Sequence, residues 1–274
     1  MIDLILEPMN YLFMRKALIA SLLISMTCSS LGVHVVHRRM AFLGDAIAHT
    51  TLPGLVIAWL NRWSLFFGAL VAAVLTAVGI GWISRRERIR EDTAIGVLFS
   101  GMFALGVVLI SRTKSYRDFS HMLFGNVLGV SNESLVGILI VTLIVFVGLG
   151  LLSKELMLTA VDPLHAEVIG LSAEKTRSIL LVLMALTIVT AIQAVGVVLT
   201  SAMLVTPAAT AVILTSRLRR QMLLSVVLSS FASVSGLYSS YYFGISAGGA
   251  IVLVCTGCFC CTFLIQSVLR RRVH

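Results

Sequence analysis

The chain is a succession of apolar runs of membrane length, separated by short connections that carry most of its charge. The runs lie at about 13–36, 42–60, 63–84, 93–111, 134–153, 177–199, 202–216, 222–242 and 246–268. About 20 apolar residues in a helix span the hydrocarbon core of a bilayer. In lipid, every backbone polar group must find its partner inside the protein, which favours helices. The sequence therefore predicts an all-α membrane protein, a polytopic helical bundle of about eight to nine transmembrane helices.

Composition and charge agree with this class. Of 274 residues, 58% are hydrophobic and 12% are charged, whereas a soluble domain carries about 25% charged residues. The net charge of +9 is confined to the connections, which indicates contact with the membrane surface and membrane lipid and excludes nucleic acid as a partner. Because neither a repeat nor a soluble segment divides the chain, residues 1–274 are predicted to form a single transmembrane domain.

The basic residues also predict an orientation. Alternate connections hold 15 Lys and Arg in one set and 6 in the other. The richer set belongs in the cytoplasm by the positive-inside rule. One stretch resists a simple division, since residues 179–214 carry no charge and contain Pro207. Proline removes a backbone donor and clashes with the preceding turn, so we expect here a full span, a tight reversal and a short or broken helix.

Asp45 is the only acidic residue well inside an apolar run, and His49 follows it four residues later. On a helix these positions share one face. A carboxylate and an imidazole on one face supply half of a site for a divalent transition metal, and an intramembrane carboxylate is by default a functional hypothesis. Two structural alternatives stay open: Asp45 caps a helix start, or His49 bonds a neighbouring carbonyl.

The connection at about 154–176 is long and amphipathic, with Asp162-Pro163 placed to start a helix. Leu164 is one of the apolar residues that share a side of this segment, and Glu167 is one of the acidic residues around them. This pattern is typical either of a helix that lies on the membrane or of one that docks a cytoplasmic partner. In the outer connection, His121 either guides an ion near the mouth or packs within its loop.

Catalytic motifs are absent from the sequence. It contains no GxxxxGK[ST] for nucleotide binding, no HExxH and no GxSxG, so the chain is not predicted to be an enzyme. No permanently bound cofactor is expected. The transported ion (Mn, Fe or Zn) is the expected metal.

Six stretches occur together in one order: RRMAFLGDAIAHTTLPG, EDTAIGVLFSGMFALGVVLIS, HMLFGNVLG, AVDPLHAEVIGL, AIQAVGVVLTSAMLVTPAATA and YYFGISAGGAIVL. With them the chain resembles the membrane permease subunit of the manganese, zinc and chelated-iron family of ABC importers, from about Arg15 to Leu269. The resemblance implies a fold similar to the cobalamin-importer type of permease. It also implies a multi-pass protein of the bacterial cytoplasmic membrane.

The same resemblance implies partners and roles. Two copies of a P-loop ATPase subunit dock below, an extracytoplasmic metal-binding protein docks above, and a second permease copy or a sister permease completes a dimer. Asp45 and His49 then line the cation path, and the segment around Asp162 and Pro163 corresponds to the coupling helix. Leu52 to Gly54 and the TPAATA run are closer to manganese and iron members than to zinc members. The alternative function is a secondary active metal transporter that works without an ATPase.

Overall fold

The computed structural model describes residues 7–84, 90–112 and 127–271, with side chains described as far as residue 268. Within these ranges the chain forms α-helices joined by short turns, with two 3-10 turns at Pro8–Asn10 and Val127–Gly129. The α-helices are α1 (Leu12–His37), α2 (Leu43–Thr50), α3 (Leu52–Leu60), α4 (Leu65–Ile83), α5 (Glu91–Ser111), α6 (Asn132–Val161), α7 (Pro163–Val168), α8 (Ala173–Val195), α9 (Val197–Leu214), α10 (Leu218–Phe243) and α11 (Ala247–Arg271).

Nine helical stretches of the described chain are long and apolar enough to cross a membrane. Eight of them are single helices, and the remaining one, Leu43–Leu60, combines α2 and α3 across a break at Thr51. This confirms the predicted polytopic helical bundle. The six residues of α7 are too few to span.

Helix α1 lies at the centre of the bundle and packs against α6, α9 and α10. Its polar side chains bond across these contacts: Thr27 and Thr142 hydroxyls lie 3.1 Å apart, and Ser225 Oγ donates to the Ser29 carbonyl at 3.0 Å. A Cβ at Gly32 would lie 1.8 Å from the carbonyl oxygen of Leu204. Small residues and interhelical hydrogen bonds hold membrane helices together, so α1 is fixed closely to α9 at this point.

The stretch from 179 to 214 differs in part from its prediction. The reversal exists and lies at Gly196, whose φ of 85° and ψ of 170° belong to a region open essentially to glycine. The expected short or broken helix is wrong, because α9 is continuous for 18 residues with Pro207 inside it. Proline removes only one backbone donor, and Pro207 is buried among neighbouring helices, where membrane helices tolerate such a loss.

The predicted amphipathic segment 154–176 is also divided differently. Its first part continues α6 to Val161, its middle forms the short α7, and its end begins α8. The break falls at Asp162 (φ −139°, ψ 86°), since a residue that precedes proline is pushed out of the helical region. Gly170, at φ 84°, then ends α7 with a left-handed turn.

The connections gather at two opposite ends of the bundle. Helix α4 runs from a cavity of about 560 Å³, lined by Ser64, Ser134 and Gln193 among others, to one of about 740 Å³ beside Ser84. The larger cavity is lined by members of the basic set of connections, including Arg38 and Arg177. The two sets of connections are thus separated as the charge pattern requires. Which end faces the cytoplasm stays a prediction.

Candidate cation site

Asp45 and His49 project from one side of α2, one helical turn apart. Asp45 lies in the first turn of the helix, but the residue at the N-cap is Phe42 and no side chain caps it. Asp45 Oδ1 and His49 Nε2 are 3.7 Å apart. The sequence prediction that the two side chains meet on one face therefore agrees with the geometry, and the helix-cap alternative for Asp45 does not.

The separation of these two atoms suits a shared ion better than a direct bond. At 3.7 Å they are too far apart for a normal hydrogen bond, which needs about 2.7–3.2 Å. Two ligands that each lie about 2.1 Å from one metal ion stand roughly 3.0–3.4 Å apart for octahedral or tetrahedral angles. A small side-chain adjustment would bring both atoms onto one cation.

Asp45 contacts a serine of α9, whereas His49 packs against two phenylalanines of α5. Ser201, on α9, places its Oγ 3.5 Å from Asp45 Oδ1, where the hydroxyl donates a long hydrogen bond. The His49 ring meets Phe99 and Phe103 of α5 edge to face, with ring centroids 5.9 and 5.6 Å away. The two rings pack against the imidazole, whose Nε2 faces the carboxylate.

The other ring nitrogen of His49 is not engaged. His49 Nδ1 is buried and finds no hydrogen-bond partner among the described residues. The alternative in which His49 serves to bond a neighbouring carbonyl is therefore not what the structure shows. Only Nε2 is placed to act with Asp45.

A single chain leaves the site open. The side chains of His49 and Asp45 keep 28% and 38% of their surface exposed. Within the described ranges no group of three or more His, Cys, Asp and Glu could hold a metal ion. One chain thus presents two protein ligands on an open face, and the remaining positions around an ion would fall to water or to another chain.

The second predicted group of residues lies at the end of the bundle near the larger cavity. Asp162 caps α7, and its Oδ1 accepts a hydrogen bond from the His165 backbone N–H at 2.9 Å. Pro163 occupies the first helical position, and Leu164 and Glu167 follow on an exposed helix. Leu164 and Val168 expose 76% and 83% of their surface. These apolar side chains are open either to the membrane or to a partner protein, the two alternatives that the sequence pattern left for this segment.

The two predicted groups are not in contact, and one prediction is not covered. Asp45 and His49 lie on α2 within the bundle, whereas Asp162, Pro163, Leu164 and Glu167 lie at its end. His121 lies outside the described residues, so its role stays a prediction. Sequence reasoning missed Ser201, Phe99 and Phe103. Serine and phenylalanine are common in membrane helices, and no local pattern ties α9 or α5 to α2.

The sequence profile of the ABC 3 transport family matches residues 10–266. The chain belongs to this family. It is 40% identical over 256 residues to the manganese transport system membrane protein MntC of Listeria monocytogenes, a match that covers 93% of this chain and 91% of that protein. It is 39% identical over 254 residues to the probable iron transport system membrane protein of Haemophilus influenzae, covering 93% and 94% of the two chains.

A solved structure agrees with the fold. The structure of PsaBC from Streptococcus pneumoniae in complex with Fab superposes with a TM-score of 0.86 at 34% identity, over 99% of this chain and 100% of that one. The predicted identity as an ABC-importer permease is therefore confirmed, and so is the permease fold. Nine spans and these relatives make it a multi-pass protein of the bacterial cytoplasmic membrane. Family membership disfavours the alternative of a transporter without an ATPase.

Proposed function

We propose that this permease carries a divalent transition-metal ion, with Mn²⁺ as the first candidate, through a path that passes Asp45 and His49. The observation that supports it is the 3.7 Å separation of a carboxylate oxygen and an imidazole nitrogen within a membrane bundle. The relatives named above for manganese and iron transport support the class of cargo. Oxygen and nitrogen ligands without a thiolate suit Mn²⁺ or Fe²⁺.

A second permease copy, or a sister permease, completes the path. An exposed carboxylate and imidazole are too costly to face lipid, so the open side of the pair has to face protein or water. Beside it, α9 presents a half-exposed face that includes small residues, among them Ser201, Ala202 and Ala209. Small residues are typical of contacts between membrane helices. Two such faces would enclose an ion between two Asp45–His49 pairs.

Two carboxylates and two imidazoles would bind a divalent ion without trapping it. A transport site has to bind strongly enough to admit the ion and weakly enough to release it. Neutral imidazoles and anionic carboxylates balance the charge of the cation without using soft thiolates. The ion would exchange part of its water shell for these ligands and regain it on release.

Transport would be driven from the end that carries α7. Two copies of a P-loop ATPase subunit would dock on the exposed apolar side chains Leu164 and Val168, with Asp162 and Pro163 holding the helix start in place. An extracytoplasmic metal-binding protein would deliver the ion at the opposite end. His121 remains a candidate residue for guiding the ion there.

The test is ATP-dependent uptake by the reconstituted transporter. The permease would be assembled with its ATPase in vesicles and supplied with the metal-loaded receptor protein and ⁵⁴Mn²⁺. We expect uptake that requires ATP and falls when unlabelled Mn²⁺ is added. Uptake by the permease alone, driven by an ion gradient, would instead support the secondary transporter. No uptake of Mn²⁺, Fe²⁺ or Zn²⁺ by an assembled, ATP-hydrolysing complex would refute the proposal.

A further inference from the structure

A half-buried arginine joins the end of the first span to the end of α6. Arg38 follows α1 directly, and its Nη2 donates to the Leu156 carbonyl at 3.1 Å and to Thr159 Oγ1 at 2.8 Å. Thr159 in turn donates to the Glu155 carbonyl at 2.8 Å. Hydrogen bonds from a charged donor are among the stronger ones in proteins. The two helix ends are therefore held together at this point.

The charge that makes this contact is permanent. Burial lowers the pKa of the Arg38 guanidinium, the Glu91 carboxylate opposes that shift, and Arg177 adds to it. The ordinary pKa of an arginine lies so far above neutral that the group stays protonated. The contact therefore does not depend on physiological pH.

On one side, the contact leads directly to the coupling helix α7. Asp162 is at once the C-cap of α6 and the N-cap of α7. Its N–H donates to the Leu158 carbonyl at 2.9 Å, and its carbonyl accepts from the Ala166 N–H at 3.1 Å. Asp162 is the single residue between the two helices, and it is hydrogen-bonded to both. A displacement of α7 would therefore move the end of α6 that Arg38 holds.

Towards the cation site, Arg38 is followed by a hydrogen-bonded turn that joins α1 to α2. The Arg39 N–H donates to the Val36 carbonyl at 3.0 Å, and the Met40 N–H donates to the Val35 carbonyl at 3.1 Å. With Arg39 at a φ of 59°, these bonds form a Schellman motif, which ends a helix in one defined direction.

The short connection that follows is anchored at both ends. Met40 is buried, and its carbonyl accepts from the Leu43 N–H at 2.9 Å. Leu43, which begins α2, is also fully buried. Asp45 comes two residues later. The connection from Arg38 to Asp45 is therefore held by backbone hydrogen bonds and buried side chains on both sides of the exposed Ala41 and Phe42.

We propose that Arg38 is a positioning residue that transmits movement of the coupling helix α7 to Asp45 and His49. When the docked ATPase displaces α7, the end of α6 pulls Arg38, and the rigid turn at Arg39 carries α2 with it. The carboxylate and imidazole then change their position relative to the cation path. This inference rests on the proposed function, because it concerns the same cation site.

The test compares Arg38→Ala with Arg219→Ala in the full transporter. Arg219 is an exposed arginine near the start of α10, so its replacement removes the same side chain and charge outside the path from α7 to α2. Mn²⁺ uptake and ATP hydrolysis would be measured in the same vesicles, and Mn²⁺ affinity would be measured separately without ATP. We expect Arg38→Ala to lower the number of ions moved per ATP about tenfold and to leave Mn²⁺ affinity within about twofold of wild type. Arg219→Ala should match wild type in both measurements.

If the two variants moved the same number of ions per ATP, the inference would be overturned. It would also be overturned if Arg38→Ala lost uptake and ATP hydrolysis in the same proportion, because that result indicates a purely structural role. If Arg38→Ala fails to assemble, Thr159→Val removes one acceptor and keeps the Leu156 carbonyl. We then expect a smaller loss in the same ratio, and wild-type coupling in that variant would contradict us. A wild-type complex that moves no metal ion would refute the proposed function itself. If the wild type transports and the Arg38→Ala variant is fully coupled, only the role of Arg38 is refuted.

Discussion

Asp45 Oδ1 and His49 Nε2 lie 3.7 Å apart on one side of α2, too far apart for a normal hydrogen bond and a small side-chain adjustment away from the spacing of two ligands on one ion. The aromatic rings of α5 hold the imidazole, and the Ser201 hydroxyl of α9 reaches the carboxylate. A membrane protein keeps such a pair only at a cost. This cost is the physical reason for the proposal that a cation passes the pair.

Replacement of the carboxylate should abolish transport without affecting assembly. In Asp45→Asn the side chain keeps its shape and loses its negative charge, so we expect Mn²⁺ uptake to fall by at least about 10–100-fold. Co-purification with the ATPase should be unchanged. Asp92→Asn makes the same chemical change at an exposed position in the first turn of α5 and should transport normally. Wild-type uptake by Asp45→Asn would exclude the carboxylate as a ligand.

The cap of the coupling helix should matter for coupling more than for folding. Asp162→Ala removes the acceptor of the His165 N–H, a loss of about 1 kcal/mol of local stability. We expect ATP hydrolysis to continue while uptake per ATP falls. Asp162→Asn keeps a side-chain acceptor and should stay close to wild type. If alanine and wild type were equally coupled, α7 would not be the docking helix.

The crossing of α3 and α4 should tolerate no added side chain at its centre. A Cβ at Gly54 would lie 2.1 Å from the Gly68 carbonyl oxygen and 2.8 Å from the Ala72 Cβ. We expect Gly54→Ala to destabilise the detergent-solubilised permease by about 1–3 kcal/mol, seen as a lower thermal midpoint. Gly101 has no such neighbour within 4 Å, so Gly101→Ala should be neutral or stabilise α5 by about 0.5–1 kcal/mol. Equal midpoints for the two variants would contradict this.

Hydropathy and charge were sufficient to predict the spans because burial in lipid admits few alternatives to a helix. The prediction failed where the outcome depends on neighbours. Pro207 predicts a break only in an isolated helix, whereas α9 is supported on several sides by packed helices. Gly196 was hard to recognise as the reversal because one glycine in an apolar run carries no distinctive signal. Its backbone angles show its role only in the folded chain.

The candidate site divides in the same way. Asp45 and His49 could be found because they are four residues apart on one helix, and Asp162 and Pro163 because they form a local helix start. Ser201 is 156 residues from Asp45 along the chain, and only the packing of α9 beside α2 brings it near. Contacts between distant helices leave no periodic pattern in a single sequence, and the contact of Arg38 with α6 escaped prediction for the same reason.

The most direct measurement of the central claim is pulsed electron paramagnetic resonance of Mn²⁺ bound to the purified permease–ATPase complex. A directly bound imidazole gives a ¹⁴N modulation of the Mn²⁺ signal. We predict this modulation in the wild type, its loss in His49→Gln, and its retention in His165→Gln, which changes an exposed histidine on α7. Bound Mn²⁺ that shows no ¹⁴N modulation in the wild type, or an unchanged modulation in His49→Gln, would contradict the assignment of Asp45 and His49 as the cation site.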